Sequence, residues 1–161
     1  MGPRSTTPSA SPTCDTSAYA TGDLIGGKLT FSGAFVNVGA SGILHSLVLA
    51  TKAPQTDKNL ELVIFDQDPT GTTFTDQAAF DPADGDLTKI LCRILLDGTD
   101  DYSAFSDNAI YSKAGLGIVV RAEPDIAGVS GNLYGALVAR SDPTFAAAAD
   151  VTITLHILQD G

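Results

Sequence analysis

The sequence predicts an all-β fold, an antiparallel sandwich of jelly-roll type in a single domain, entered through an extended N-terminal arm. Three observations carry that prediction. Apolar runs of roughly five to nine residues recur along the chain, bounded by Gly, Asp and Pro clusters. No stretch sustains a helical period long enough for the crossover helices a parallel sheet needs. And 17 of the 19 acidic residues are Asp, a poor helix former but a good turn residue, which puts the charge into loops between strands.

A chain of 161 residues with 43% hydrophobic content suits one domain with its own core. Residues 1–16, MGPRSTTPSASPTCDT, have prolines at 3, 8 and 12 with Ser and Thr between them. Such a stretch buries too little apolar surface to fold alone. It is read as an extended arm, and residues 17–161 as the sandwich.

The strands follow in order. Thr30–Val38 opens the β pattern and the turn signal Gly39–Gly42 ends it. Ile43–Thr51 is a long apolar strand stopped before Pro54, and Leu60–Phe65 is another, closed by the cluster Asp66–Gly71. Phe74–Phe80 suits one or two helical turns with Thr73 or Thr75 as N-cap, cut off by Pro82 and Gly85. Leu87–Leu96 reads as a strand, with a short helix as the alternative. Asn108–Tyr111, Leu116–Arg121 and Leu133–Arg140 are further strands. Val151–Gln159 alternates most cleanly: Val151, Ile153, Leu155 and Ile157 face one way, Thr152, Thr154 and His156 the other. No fixed-period repeat is present, which excludes a solenoid or propeller.

Net charge is −10, and the nine cations are spread along the chain. An acidic surface repels phosphate, so nucleic acid is not an expected partner. No apolar stretch approaches the ~18–20 residues of a membrane helix, and residues 2–16 lack the apolar core of a secretory signal. Cys14 falls in the arm and Cys92 in the apolar run Ile90–Leu96, where it reads as a small buried hydrophobe and not half of a disulfide framework.

The motifs that carry chemistry are incomplete. Asp66-Gln-Asp68-Pro-Thr-Gly71 begins like a calcium loop, but Gln77 stands where the bidentate Glu belongs, and a strand-ending turn is the better reading. Asp81–Asp86 is judged the same way, and Asp97–Asp101 reads as a hairpin loop. His45 and His156 lack a second His or Cys at zinc spacing. They are read as polar tips on a sheet face or at a subunit contact. Gly39-Ala-Ser41-Gly42 and Gly128-Val-Ser130-Gly131 miss the spacing of a nucleophile elbow. No catalytic, metal or cofactor residues are assigned, and an enzyme is not expected. A hydrolase built on dispersed carboxylates such as Asp66 and Asp68 is the enzymatic rival.

The opening segment Ser17-Ala-Tyr19-Ala-Thr-Gly22-Asp23-Leu-Ile-Gly26-Gly27-Lys-Leu-Thr30-Phe31 resembles the start of small virion proteins encoded beside the major capsid protein of tailed bacteriophages. Leu62-Val-Ile-Phe65-Asp66-Gln-Asp68-Pro69 and the terminal strand Val151–Leu158 extend the likeness over most of residues 17–158; the leader before Ser17 is longer than that pattern. The resemblance implies a capsid cement or decoration protein, made in the bacterial cytoplasm and carried on the outside of the virion head. Its implied partners are the major capsid protein and its own copies, as a homotrimer. The arm then becomes a tether of up to ~50 Å. Pro3, Arg4, Pro8 and Pro12, with Tyr19, are the candidate capsid contacts, and removing residues 2–16 is expected to weaken attachment without unfolding the sandwich. A carbohydrate- or receptor-binding module of a phage virion or tail is the alternative, disfavoured by the absence of Trp.

Overall fold

Among the described residues, ten strands form two antiparallel sheets packed face to face, as the alternating and buried runs require. The computed structural model describes residues 4–37, 39–122 and 131–159. In chain order the strands are β1 (Arg4–Thr6), β2 (Ser9–Ala10), β3 (Leu24–Phe31), β4 (Ser41–Thr51), β5 (Leu60–Phe65), β6 (Ile90–Leu96), β7 (Tyr102–Ala104), β8 (Ala109–Arg121), β9 (Leu133–Ala139) and β10 (Val151–Gln159). One sheet runs β1-β10-β4-β8-β7, with β2 also on β10; the other runs β3-β9-β5-β6. The all-β antiparallel sandwich expected from the sequence is the fold.

Alternation decides the six-stranded sheet. In β10, Val151, Ile153, Leu155 and Ile157 are buried and meet the inward residues of β4, with Ile153 opposite Leu49 and Leu155 opposite Leu47. Across the sandwich they pack with Leu62, Ile64, Leu133 and Leu137 in one core.

The four-stranded sheet behaves differently. Every residue of β5 (LELVIF) and of β9 (LYGALVA) is buried. Such unbroken runs are what strands covered on both faces require. Their second cover is the segment 66–89, which lays Phe74 and Phe80 over Leu24, Val63, Phe65, Tyr134 and Val138 as a separate apolar cluster. The molecule is therefore three layers deep over β5 and β9.

Several expectations are corrected. Phe74–Phe80 is not helical; it runs as turns, with Leu24 donating its N–H to the Ala78 carbonyl and Gln77 donating its N–H to the Leu24 carbonyl. The helical turn comes later, as a 3-10 segment at Asp84–Lys89, with Asp84 and Asp86 in its first turn and Lys89 in its last. The first sandwich strand is Leu24–Phe31 and not Thr30–Val38; residues 32–37 turn, and Val38 lies outside the described residues. Asn108–Tyr111 and Leu116–Arg121 are one strand, β8, whose pairing with β4 shifts register between Leu44 and Ser46. Asp97–Asp101 is not a hairpin: β6 and β7 lie in different sheets, so it carries the chain across the sandwich. Asp97 shapes that crossing by accepting the N–H groups of Thr99 and Asp100.

The largest correction concerns the arm. Residues 4–16 are extended but are not free of the domain. β1 pairs with β10 (Arg4 opposite Gln159) and β2 pairs further along the same strand (Ala10 opposite Ile153). Pro8, Pro12 and Cys14 are buried.

Candidate functional site

The arm closes one flank of the sandwich. Leu155 donates its N–H to the Pro8 carbonyl at 3.0 Å, and Cys14 donates to Ala148 at 3.0 Å. Gln159 fixes the start of the arm, its amide donating to Thr6 Oγ1 (2.8 Å) and the Ala34 carbonyl (3.0 Å) while Thr6 itself donates to Ala34 (2.6 Å). Farther on, the chain crosses to β3. Gly26 has φ +73°, and a Cβ there would lie 2.7 Å from Pro12 Cβ, so only glycine allows the approach.

Tyr19 anchors the junction. It is 1% exposed, accepts the Asp15 N–H at 2.7 Å, and donates at 2.8 Å to Asp76 Oδ1, which also accepts the Gly26 N–H at 2.7 Å. Burial above all raises its phenol above the ordinary value. Burial likewise pushes the Cys14 thiol up to about 12, with the Asp150 and Asp76 carboxylates adding to the effect, and the Cys92 thiol up to about 11. Both cysteines are free. Thiols held so high are protonated and poorly nucleophilic at neutral pH.

Of the five candidate contacts, Pro8, Pro12 and Tyr19 are buried against the chain itself. Arg4 is exposed on β1, and Pro3 lies outside the described residues.

The buried carboxylates are engaged. Glu61 on β5 is met by Arg140 Nη2 at 2.7 Å and Arg93 Nη1 at 3.4 Å. The three line a cleft of about 370 Å³ with Val63, Phe80 and Cys92. Asp86 receives Lys89 Nζ and Thr72 Oγ1, each at 2.7 Å, and these bonds, Lys89 first, hold its carboxyl below the usual range. Asp150 Oδ2 accepts the N–H groups of Ala146 (2.6 Å) and Ala147 (3.1 Å).

Asp66 and Asp68, the apparent start of a calcium loop, diverge. Asp66 Oδ2 meets Arg121 Nε at 2.7 Å and Asp68 Oδ1 meets Lys28 Nζ at 2.6 Å. Cations from β8 and β3 occupy the positions an ion would take. Among the described residues no three His, Cys, Asp or Glu side chains gather as a metal site. A cleft of about 480 Å³ between Leu24, Gly71 and Asp84 is lined by loop residues of segment 71–84.

The outer face of the six-stranded sheet is of another kind. Its outward residues are small, hydroxylated or aliphatic. Both histidines belong to it: His156 is half-buried opposite Ser46, and His45 is exposed at the adjoining register shift. The alternation of β10 had placed His156 there. What the sequence reading missed is that β4 and β8 continue the same carboxylate-free surface, because the register that aligns the strands is not written in any one of them.

No protein-family model matches this chain, and no curated protein matches it. Among the described residues no helix is long and apolar enough to cross a membrane.

Proposed function

We propose that this chain is a non-enzymatic structural protein of a tailed-phage virion, a cement or decoration protein that binds the outside of the head through the major capsid protein, acts as a homo-oligomer and stabilises the shell. The observation that carries this reading is the disposition of its ionisable groups. Glu61, Asp66, Asp86 and Asp150 are buried and held by cations or backbone amides, both thiols are locked in their protonated form, and the charge left over sits in loops. Groups so engaged serve rigidity, whereas general acids and nucleophiles need a poised pKa and an open approach. Seven cations, among them Lys28, Arg121 and Arg140, are tied to carboxylates, which supports an attachment that does not depend on phosphate. The opening segment Ser17–Phe31 supplies the likeness to head proteins, and its Tyr19 and Gly26 act within the fold. Adhesion then runs through sheet faces and loop edges, with the arm as part of the scaffold.

The test is co-sedimentation with heads of the phage that encodes the chain, assembled without it. Saturable decoration and a higher temperature of head disruption are expected. Absence of binding overturns the reading, and saturable binding on a glycan array without head binding would transfer it to a carbohydrate-binding module.

A further inference from the structure

None of the six strands β1, β2, β4, β7, β8 and β10 contains an Asp or Glu, in a chain that has 19. The outward positions of an antiparallel sheet that faces water are normally polar, and the strands of the other sheet hold a single carboxylate, Glu61. Here the register builds uncharged rows. Leu158, Ile43 and Val119 sit side by side on β10, β4 and β8 and are 46%, 44% and 71% exposed. Thr154, Val48 and Ser112 form a second row across the same three strands. Contiguous exposed aliphatic residues on a flat surface mark contact sites.

We infer that this face packs against the same face of a second copy of the chain about a two-fold axis. Charge selects that occupant. Two molecules of charge −10 repel each other through their loops, and this carboxylate-free face is where they meet without like charges opposed. A self-complementary patch is what a two-fold interface needs. Area is sufficient as well. The three long strands β10, β4 and β8, about 30–45 Å long and about 4.8 Å apart, with the short β1, β2 and β7 at their edges, give on the order of 600 Å² per copy, or about 1,200 Å² for the pair, the lower bound of specific interfaces. The inference concerns the protein alone and does not depend on head binding.

The experiment is sedimentation of the purified full chain over a micromolar concentration series. A dimer is expected. The variant carrying Ile43→Asp and Val119→Asp, both at exposed positions, should weaken the dimer by at least about 100-fold, because each carboxylate is buried without a partner. Ser112→Asp, an exposed hydroxyl in the second row, gives the same readout should the double variant fail to fold. Leu95→Asp on β6, 45% exposed and away from this face, should leave the dimer intact. A monomer throughout, a trimer, or a dimer indifferent to the face substitutions overturns the inference.

Discussion

Tyr19 shows how a residue chosen for its place in a motif can have a different role. Its ring packs edge-on to Phe145 at 5.8 Å, and its hydroxyl joins the arm, β3 and the segment around Asp76. Tyr19→Phe should therefore cost about 1–2 kcal/mol by leaving the Asp15 amide and Asp76 each short of a partner; chemical denaturation measures it. Acid stability is set by other residues. The carboxyls of Asp86, Asp97 and Asp142 are lowered, by Lys89, by the backbone amides of Asp100 and Thr99, and by Lys58 respectively. A carboxyl depressed by folding contributes stability that is present above its unfolded pKa near ~3.9 and is lost as pH falls through the folded value. The melting temperature should be flat from neutral pH to about 5 and fall below about 4. Asp86→Asn, which leaves Lys89 with less to hold it, should lower the plateau and shallow the acid decline. The Lys58–Asp142 pair was not visible in the sequence, since the two residues are 84 positions apart.

The strands were legible where composition and packing agree. Leu60–Phe65 and Val151–Gln159 have the bounds expected from their residues, the first because an unbroken apolar run stops at the Asp66–Pro69 cluster and the second because strict alternation runs from Val151. The 3-10 turn was misplaced because Phe74 and Phe80 carry a spacing that suits a helix yet serve to cover β5 and β9. The arm was misjudged for a related reason. Its Ser, Thr and Pro content suits a disordered tail, but β10 offers an edge that needs a partner, and even poor strand formers pair there. Removing residues 2–16 should then lower the melting temperature by at least about 5 °C and expose β10 to association with other chains, contrary to a simple loss of attachment. Gly26→Ala tests the same seam more gently. With φ at +73° and Pro12 in the way, it should cost about 2 kcal/mol or more and increase protease cleavage within residues 4–16.

For the molecule as a whole, one flank is closed by the arm, one sheet is capped by segment 66–89, and the strands of one broad face carry no carboxylate. Fold class was readable from periodicity, but this division of surfaces was not, because it arises only when β4, β8 and β10 come into register. Both cysteines lie inside this architecture, so alkylation in native buffer should be slow at Cys14 and faster at the half-buried Cys92, and both should react at once in denaturant. Mass spectrometry of timed aliquots reads the difference.

The position of β10 has a consequence for how the chain is made. It follows every other described strand in sequence, yet it pairs with β1, β2 and β4. Until β10 leaves the ribosome, β4 has no neighbour on that flank, and β1 and β2 have nothing to pair with. The nascent polypeptide must make β10 before β1 and β2 can settle.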